Sequence, residues 1–315
     1  MIQTTLFVLL PLFFVMSLGY FARRTQRIDH NQMLGVNRVL VEFALPAALF
    51  TGTAQTPRAE LLDHAPLILA LLIAFVAFWI IGNVLARVGF HHDAGAAVLQ
   101  ATALAFPNTG FMGVPILGGL FGATSVVTVA IATVLGVLVF IPSAVIVLEL
   151  TRHANQHASD SKWRDVVLSA FVNAARAPIV LAPILAALMV LVGISLPRVI
   201  LDMLNLMGSV TSGLAMFAAG LTLAAYPLRV NFEIGVNTFL KMIAQPLFMI
   251  LLVSVLGMTG LLAQEAVILC ALPTPVLSTI LATQYETYQA EASSTLVLTS
   301  LVLLVMLPVW RIVLG

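Results

Sequence analysis

The chain has 315 residues, of which 61% are hydrophobic and 9% are charged. Soluble domains carry roughly 25% charged residues, so this composition excludes an ordinary soluble protein and indicates an integral membrane protein in a lipid bilayer. The net charge of +1 gives no reason to expect nucleic acid, and the single cysteine, Cys270, excludes an internal disulfide.

About ten apolar segments are long enough to cross a bilayer, which takes about 20 helical residues. In the first half they cover residues 2–22, 31–53, 66–87, 94–120 and 125–150. A polar linker at residues 151–162 follows. An amphipathic start at residue 163 then leads into a segment that ends near residue 192, and further segments cover residues 200–223, 234–256, 262–284 and 292–308. We therefore predict an all-α membrane protein.

The two halves of the chain resemble each other. LLPLFFVMSLG at 9–19 is similar to LAPILAALMVLVG at 181–193, and ALPAALFTG at 44–52 has a weaker counterpart in LAMFAAGLT at 214–222. Because roughly five segments per half is an odd number, the second half must enter the membrane from the opposite side. We predict one transport domain made of inverted repeats at residues 1–150 and 163–315, joined by the linker.

Basic residues indicate the orientation, because cytoplasmic loops are enriched in lysine and arginine. With the N-terminus outside, the cytoplasmic loops hold Arg23, Arg24, Arg27, Arg87, Arg152, Lys162, Arg164 and Arg229. The outer loops then hold Arg58, Arg198 and Arg311. We therefore predict that both termini lie outside and that the linker 151–162 is cytoplasmic.

Two of the segments are interrupted by helix-breaking residues. Residues 106–115 read FPNTGFMGVP, and residues 272–276 read LPTPV. A proline leaves a carbonyl group without its donor, which at membrane depth requires cover by protein or by a polar cavity. Paired breaks in corresponding segments are typical of a transporter's binding site. The alternative is that the prolines only kink packed helices.

The ends of broken helices expose free backbone groups and a partial charge of about half a unit. Where two breaks cross near the membrane midplane, such ends can bind an anion. The predicted substrate-binding residues are Asn108, Thr109, Gly110, Thr274 and Ser278. The residues predicted to shape the site are Pro107, Gly113, Pro115, Pro273 and Pro275.

Three ionisable residues and one glutamine inside the segments are candidates for ion coupling or for charge. Glu42 lies about 16 Å from the cytoplasmic end of its segment, and Arg38 precedes it by one turn. Either the two form an ion pair facing the bundle, or Glu42 takes up a proton during transport. Lys241, followed by Gln245, either snorkels to the cytoplasmic surface or offers positive charge to an anion in the cavity.

The remaining polar groups suggest no metal and no enzyme. His91, His92 and Asp93 form a short loop without further metal ligands, so we expect a solvated loop. The apolar segments hold no nucleophile and base at a recognisable spacing. With no glycine-rich phosphate loop either, ATP is not expected as the energy source, and no cofactor is predicted.

Six stretches together resemble the auxin efflux carrier family. They are PNTGFMGVPIL, ALPAALF, APIVLAPIL, FAAGLTLA, TFLKMIAQP and ALPTPVLST. The resemblance spans nearly the entire chain. Within the family, the motifs more specifically resemble those of the bacterial members, which include proteins provisionally described as malonate and malate permeases. It implies ten helices in two inverted five-helix repeats, with broken helices 4 and 9 that cross.

In plant relatives, the asparagine of the first break and the prolines of both breaks form a carboxylate site. The resemblance carries this role to Asn108, with Pro107, Pro115, Pro273 and Pro275 shaping the site. The second break here has no asparagine, and whether Thr274 replaces it stays open.

The expected function is secondary transport of a small organic anion, such as malonate or malate, across a bacterial inner membrane. Coupling to protons or sodium is expected, and the plain third segment could lie at a contact within a homodimer. One alternative is a sodium-coupled carrier of the bile acid type, which needs clustered carboxylate or hydroxyl ligands. Another is a membrane sensor that transports nothing.

Overall fold

The computed structural model describes residues 2–55, 64–122, 125–156, 172, 176–194, 196–226 and 228–314. Within these ranges the chain forms helices and short connections without a strand, which confirms the all-α prediction. The helices before the linker are α1 (Ile2–Arg24), α2 (His30–Ala54), α3 (Ala65–Gly89), α4 (Ala94–Ala105), α5 (Val114–Phe121) and α6 (Val126–Leu135, continuing through a π-helical turn into Ile141–Gln156). Those after it are α7 (Pro178–Val192), α8 (Arg198–Ala225), α9 (Phe232–Val255), α10 (Gly260–Cys270), α11 (Val276–Gln284) and α12 (Gln289–Val313).

In the described part of the chain, 6 helices are long and apolar enough to cross a membrane, namely α2, α3, α6, α8, α9 and α12. Helices α4, α7 and α10 are apolar but shorter. Two of the short helices, α4 and α10, each end just before a proline-containing break. The ten-helix arrangement with inverted repeats stays a prediction, and residues 157–171 of the linker region lie outside the described residues.

Polar caps mark where several helices begin. Asp29 caps α2 and forms a capping box with Gln32. The Asp93 carboxylate accepts a hydrogen bond of 2.7 Å from the Ala96 N–H at the start of α4. Asn231 caps α9 in the same way. Such caps satisfy backbone N–H groups that have no partner within the helix.

Glycines allow the closest helix contacts. A Cβ atom on Gly19 of α1 would lie 2.0 Å from the Phe217 carbonyl oxygen of α8, and one on Gly220 of α8 would lie 1.9 Å from the Met16 carbonyl oxygen. Small residues let membrane helices approach to backbone contact. Gly82 of α3 allows the same close approach to α4, because a Cβ atom on Gly82 would lie 2.7 Å from the Cα atom of Ala101.

The contacts between helices divide the bundle into two groups. Helices α1, α2, α7 and α8 pack mainly on one another, while α3, α4, α6, α9, α10 and α12 form a second group. Helix α11, which follows the second break, contacts both α8 of the first group and α12 of the second. The second break therefore lies beside the boundary between the groups.

Candidate functional site

The two breaks meet inside the protein. The Asn108 N–H, in the break between α4 and α5, donates a hydrogen bond of 3.0 Å to the Pro273 carbonyl, in the break between α10 and α11. The backbone is extended at Phe106, with φ −100° and ψ 129°, and at Pro275, with φ −71° and ψ 139°. The polar backbone groups that the prolines expose thus lie against protein, as the low polarity of a membrane requires.

Each break starts a new helix at the crossing. The Asn108 carbonyl accepts hydrogen bonds of 3.1 Å from the N–H groups of Met112 and Gly113. These bonds close the π-helical turn Thr109–Gly113, which holds Gly110 and runs directly into α5, where Pro115 lies in the first turn. A Cβ on Gly113 would lie 3.0 Å from a Val129 methyl group, so the turn packs closely on α6.

In the second break, the Pro275 carbonyl starts α11. It accepts a hydrogen bond of 3.1 Å from the Ser278 N–H and another of 2.7 Å from the Ser278 hydroxyl. The Thr274 hydroxyl lies 3.4 Å from the Thr299 hydroxyl of α12. Both predicted hydroxyl donors of this break therefore already have partners within the protein.

The first break differs, because the side-chain amide nitrogen of Asn108 donates no hydrogen bond within the described structure. Asn108 and Thr109 are buried, with exposures of 2% and 1%. The Asn108 Nδ2 atom is buried without a hydrogen-bond partner in the described structure. A buried polar group left unpaired costs about 1–3 kcal/mol, so this atom is a donor in need of an acceptor.

Lys241 lies beside the first break, in a π-helical turn of α9. It is fully buried, and its Nζ donates to Gln245 Oε1 at 2.7 Å and to the Leu104 carbonyl at 3.4 Å. The Gln245 amide donates to the Ala105 carbonyl at 2.8 Å. These carbonyls are the last two of α4, where a helix leaves such groups unpaired. The snorkelling interpretation of Lys241 is therefore wrong.

The amine of Lys241 has no close acidic partner. No carboxylate in the described ranges lies within ion-pair distance of its Nζ. Lys241 interacts electrostatically with the buried thiol of Cys270, the last residue of α10. Lys241 thus lies between the ends of the two helices that lead into the breaks.

The prediction that Arg38 and Glu42 face the bundle is also wrong. They do form an ion pair, with Arg38 Nε 3.3 Å from Glu42 Oε1, but their side chains are 71% and 41% exposed. The neighbouring Phe43 is exposed as well, whereas Leu40 and Ala44 are buried. Helix α2 packs through that second face, so the ion pair lies on its outer side. Glu42 therefore lacks the burial on which its proposed proton uptake was based.

A buried carboxylate that the sequence reasoning missed lies in α10. Glu265 is 3% exposed, and its Oε2 accepts a hydrogen bond from the Thr128 hydroxyl of α6. The signal was present in the sequence, because an acidic residue in an apolar segment that leads to a break is a functional candidate.

A polar cluster joins three connections at one end of the bundle. His92 Nε2 lies 2.9 Å from Glu233 Oε1, and the Tyr288 hydroxyl donates to the same oxygen at 2.7 Å. Asn237 Nδ2 donates to the Tyr288 hydroxyl at 3.2 Å, and Gln100 Nε2 donates to Asn237 Oδ1 at 2.8 Å. His91 and Asp93 are exposed, as predicted for a solvated loop, whereas His92 is partly buried in this cluster.

Burial, and then the nearby Glu233 charge, raise the pKa of Tyr288 well above its ordinary value. The Tyr288 hydroxyl thus stays a neutral donor to Glu233. In the part of the chain that the structure describes, no group of three or more histidine, cysteine or acidic residues could hold a metal ion.

Comparison with known proteins identifies the family of the chain. A family model described as membrane transport protein matches residues 5–311. The uncharacterized transporter YfdV of Escherichia coli K12 is 31% identical over 96% of this chain and 95% of its own length. A protein of Rhizobium meliloti provisionally named a malonate transporter is 29% identical over 93% of this chain and 91% of its own length.

A more distant relative is the uncharacterized transporter MJ1031 of Methanocaldococcus jannaschii, which is 22% identical over 96% of each chain. Together with the long apolar helices, these matches identify a multi-pass membrane protein. They confirm the resemblance found in the sequence motifs. The chain belongs to the membrane transport protein family, the auxin efflux carrier-like transporters.

Proposed function

We propose that the protein is a secondary transporter of small organic anions, which bind where the two breaks cross. The observation that carries the proposal is the Asn108 amide. Its Nδ2 is a buried donor without a partner, and the backbone of the same residue is bonded to the second break. A substrate carboxylate would supply the missing acceptor.

The electrostatics around the crossing favour a negative ligand. The helices that begin at the breaks, α5 and α11, direct their N-terminal ends towards the crossing, and such ends attract anions. Lys241 adds a buried amine without a carboxylate within ion-pair distance in the described ranges. An unpaired charge is costly inside a protein, so a bound carboxylate would favour the protonated, positively charged form of this amine.

The packing supports alternating access. Hydrogen bonds link the two helix groups at α11: Asn37 Nδ2 of α2 donates to the Ile280 carbonyl at 3.0 Å, and the Thr222 hydroxyl of α8 lies 3.1 Å from that of Thr283. We propose that one group moves past the other, so that these bonds break and the crossing opens to the opposite side. The repeats at residues 1–150 and 163–315 would supply the two equivalent arrangements.

Dicarboxylates are the substrate class we propose, with malonate first. The support is the Rhizobium meliloti relative, which is provisionally named a malonate transporter. The location proposed from bacterial relatives is the inner membrane, with both termini outside and residues 151–162 in the cytoplasm. The cluster of His92, Glu233 and Tyr288 supports this, because the connections that it joins are all predicted to be cytoplasmic.

Uptake by purified protein in liposomes tests the proposal. Radiolabelled malonate, malate and a neutral compound of similar size, glycerol, are supplied to proteoliposomes and to empty liposomes. Protein-dependent uptake of a carboxylate, competed by the unlabelled anion and absent for glycerol, is expected. Equal uptake of all three compounds, or binding of malonate without uptake, would contradict secondary anion transport.

A further inference from the structure

We propose that Glu265 carries the coupling proton of this transporter, binding it and releasing it once in each cycle. This inference rests on the proposed function and deepens it by naming the coupling ion. It also moves the role from Glu42, which the structure places on the outer face of α2, to a carboxylate inside the protein.

Glu265 is buried deep in a helix that ends at the crossing. It lies at the middle of α10 (Gly260–Cys270), five residues from either end, or about 7.5 Å at 1.5 Å per residue. Its side chain is 3% exposed. Ionisable groups at such positions are costly in a membrane and mark ion pathways and proton relays.

The partner of Glu265 suits both protonation states. The Thr128 hydroxyl donates to its carboxylate, and a hydroxyl can equally accept a hydrogen bond from a carboxylic acid. No basic side chain in the described ranges lies within ion-pair distance of Glu265. A fixed cation would hold the carboxylate charged, whereas a hydroxyl allows the proton to come and go.

Few other ionisable groups face this side chain. From α12, Arg311 is bonded through Nη1 to Gln264 Oε1 at 3.0 Å and lies over the Phe121 ring. Helix α9 carries Lys241 and, in its first turn, Glu233, and α10 itself holds Cys270. His64, the residue before α3, is also ionisable and has an interaction partner.

The other helices packed on α10 present little charge near Glu265. Helix α5 has no ionisable residue. In α3 and α6, the described ionisable side chains Arg87, Glu149 and Arg152 lie at the far ends of the helices. In α12, Glu291 is likewise distant, because it pairs with Arg229 at the other end.

Charge balance explains how Glu265 would couple to substrate. With the crossing empty, a protonated Lys241 and an ionised Glu265 offset each other. A bound malonate dianion adds two negative charges beside Lys241, and protonation of Glu265 offsets one of them. Because α10 runs from Glu265 directly into the second break, the two events are close enough to influence each other.

The first test needs no substrate. Infrared difference spectra of the full-length protein in lipid membranes are recorded during acidification, with 13C-labelled glutamate to assign the carboxylic acid carbonyl band. We expect a band that Glu265→Gln removes and Glu42→Gln, the matched control on the outer face, retains. A spectrum unchanged by Glu265→Gln would overturn the proposal.

The second test measures coupling with radiolabelled malonate. Wild type and Glu42→Gln should concentrate malonate under an inward proton gradient, and Glu265→Gln should exchange malonate across the membrane without concentrating it. Proton-driven accumulation by Glu265→Gln, or accumulation that follows a sodium gradient instead, would contradict the proposal. Absence of all malonate uptake together with an infrared band that depends on Glu265 would contradict the proposed function and support the proton site.

Discussion

The Asn108 N–H and the Pro273 carbonyl lie 3.0 Å apart, although 165 residues separate them in the chain. This bond joins the two breaks at the point where each backbone lacks helical partners. This bond uses only the backbone of Asn108. The side-chain Nδ2 atom is buried and has no hydrogen-bond partner in the described structure. The same residue thus ties the breaks together and offers a donor to a ligand.

Removing the charge of Lys241 should weaken anion binding. Lys241→Met keeps most of the side-chain volume, and we expect the affinity for malonate to fall about 10- to 100-fold, because a hydrogen bond to a charged group contributes about 1.5–3 kcal/mol. Isothermal titration of detergent-solubilised protein measures this. Arg38→Met, which removes an exposed charge, is the control, and equal affinities of the two variants would argue against Lys241.

Removing the Glu42 carboxylate should not change the pH dependence of transport. The Arg38–Glu42 pair lies on the outer face of α2, so Glu42→Gln removes no group of the proposed proton path. Its malonate transport should keep the pH dependence of the wild type. Uptake measured at several pH values checks this expectation, and a flattened pH profile would restore Glu42 as the proton carrier.

The contact between α1 and α8 should not tolerate a side chain at Gly220. Because a Cβ there would lie 1.9 Å from the Met16 carbonyl oxygen, Gly220→Ala should destabilise the protein by at least about 1–3 kcal/mol. Gly213→Ala, in the same helix with nothing within 4 Å of the new Cβ, should be neutral or slightly stabilising. Thermal unfolding of both variants decides, and equal melting temperatures would show that the helices can separate without cost.

Tyr288 should make stability fall at high pH. Its pKa is raised in the folded protein, mainly by burial, above the ordinary value of 10.0. As the pH passes about 10, the unfolded chain loses this proton and the folded chain keeps it, so unfolding becomes more favourable. Tyr288→Phe should lower the melting temperature at pH 7, through the lost hydrogen bond to Glu233, and should lose less stability between pH 9 and 11. A decline as steep as in wild type would contradict the raised pKa.

The sequence predicts the helices and the breaks well, because both depend on local properties. Apolar length identifies the spanning segments. Pro107 and Pro273 each lie in a cluster of helix-breaking residues and end a helix, whereas Pro183 and Pro308 lie inside helices. The family also follows from motifs whose order is visible along the chain. None of these inferences needs knowledge of which side of a helix packs.

What the sequence does not reveal is which face of each helix is covered. Segment 31–53 is apolar on several sides, so nothing local shows that Glu42 points outwards. The partners of Lys241 and Gln245, the carbonyls of Leu104 and Ala105, lie 137 and 140 residues away. Glu265 likewise depends on Thr128, 137 residues earlier.

The most direct test of the central claim is malonate binding by the Asn108→Ala variant, compared with wild type and with Asn83→Ala. Asn83 is the matched control, because its amide only bonds to the Trp79 carbonyl of its own helix, at 3.1 Å. Asn108→Ala should weaken binding about 10- to 100-fold with little change in melting temperature, and Asn83→Ala should bind as wild type does. Equal binding by all three proteins would place the anion elsewhere and contradict a site at the crossing.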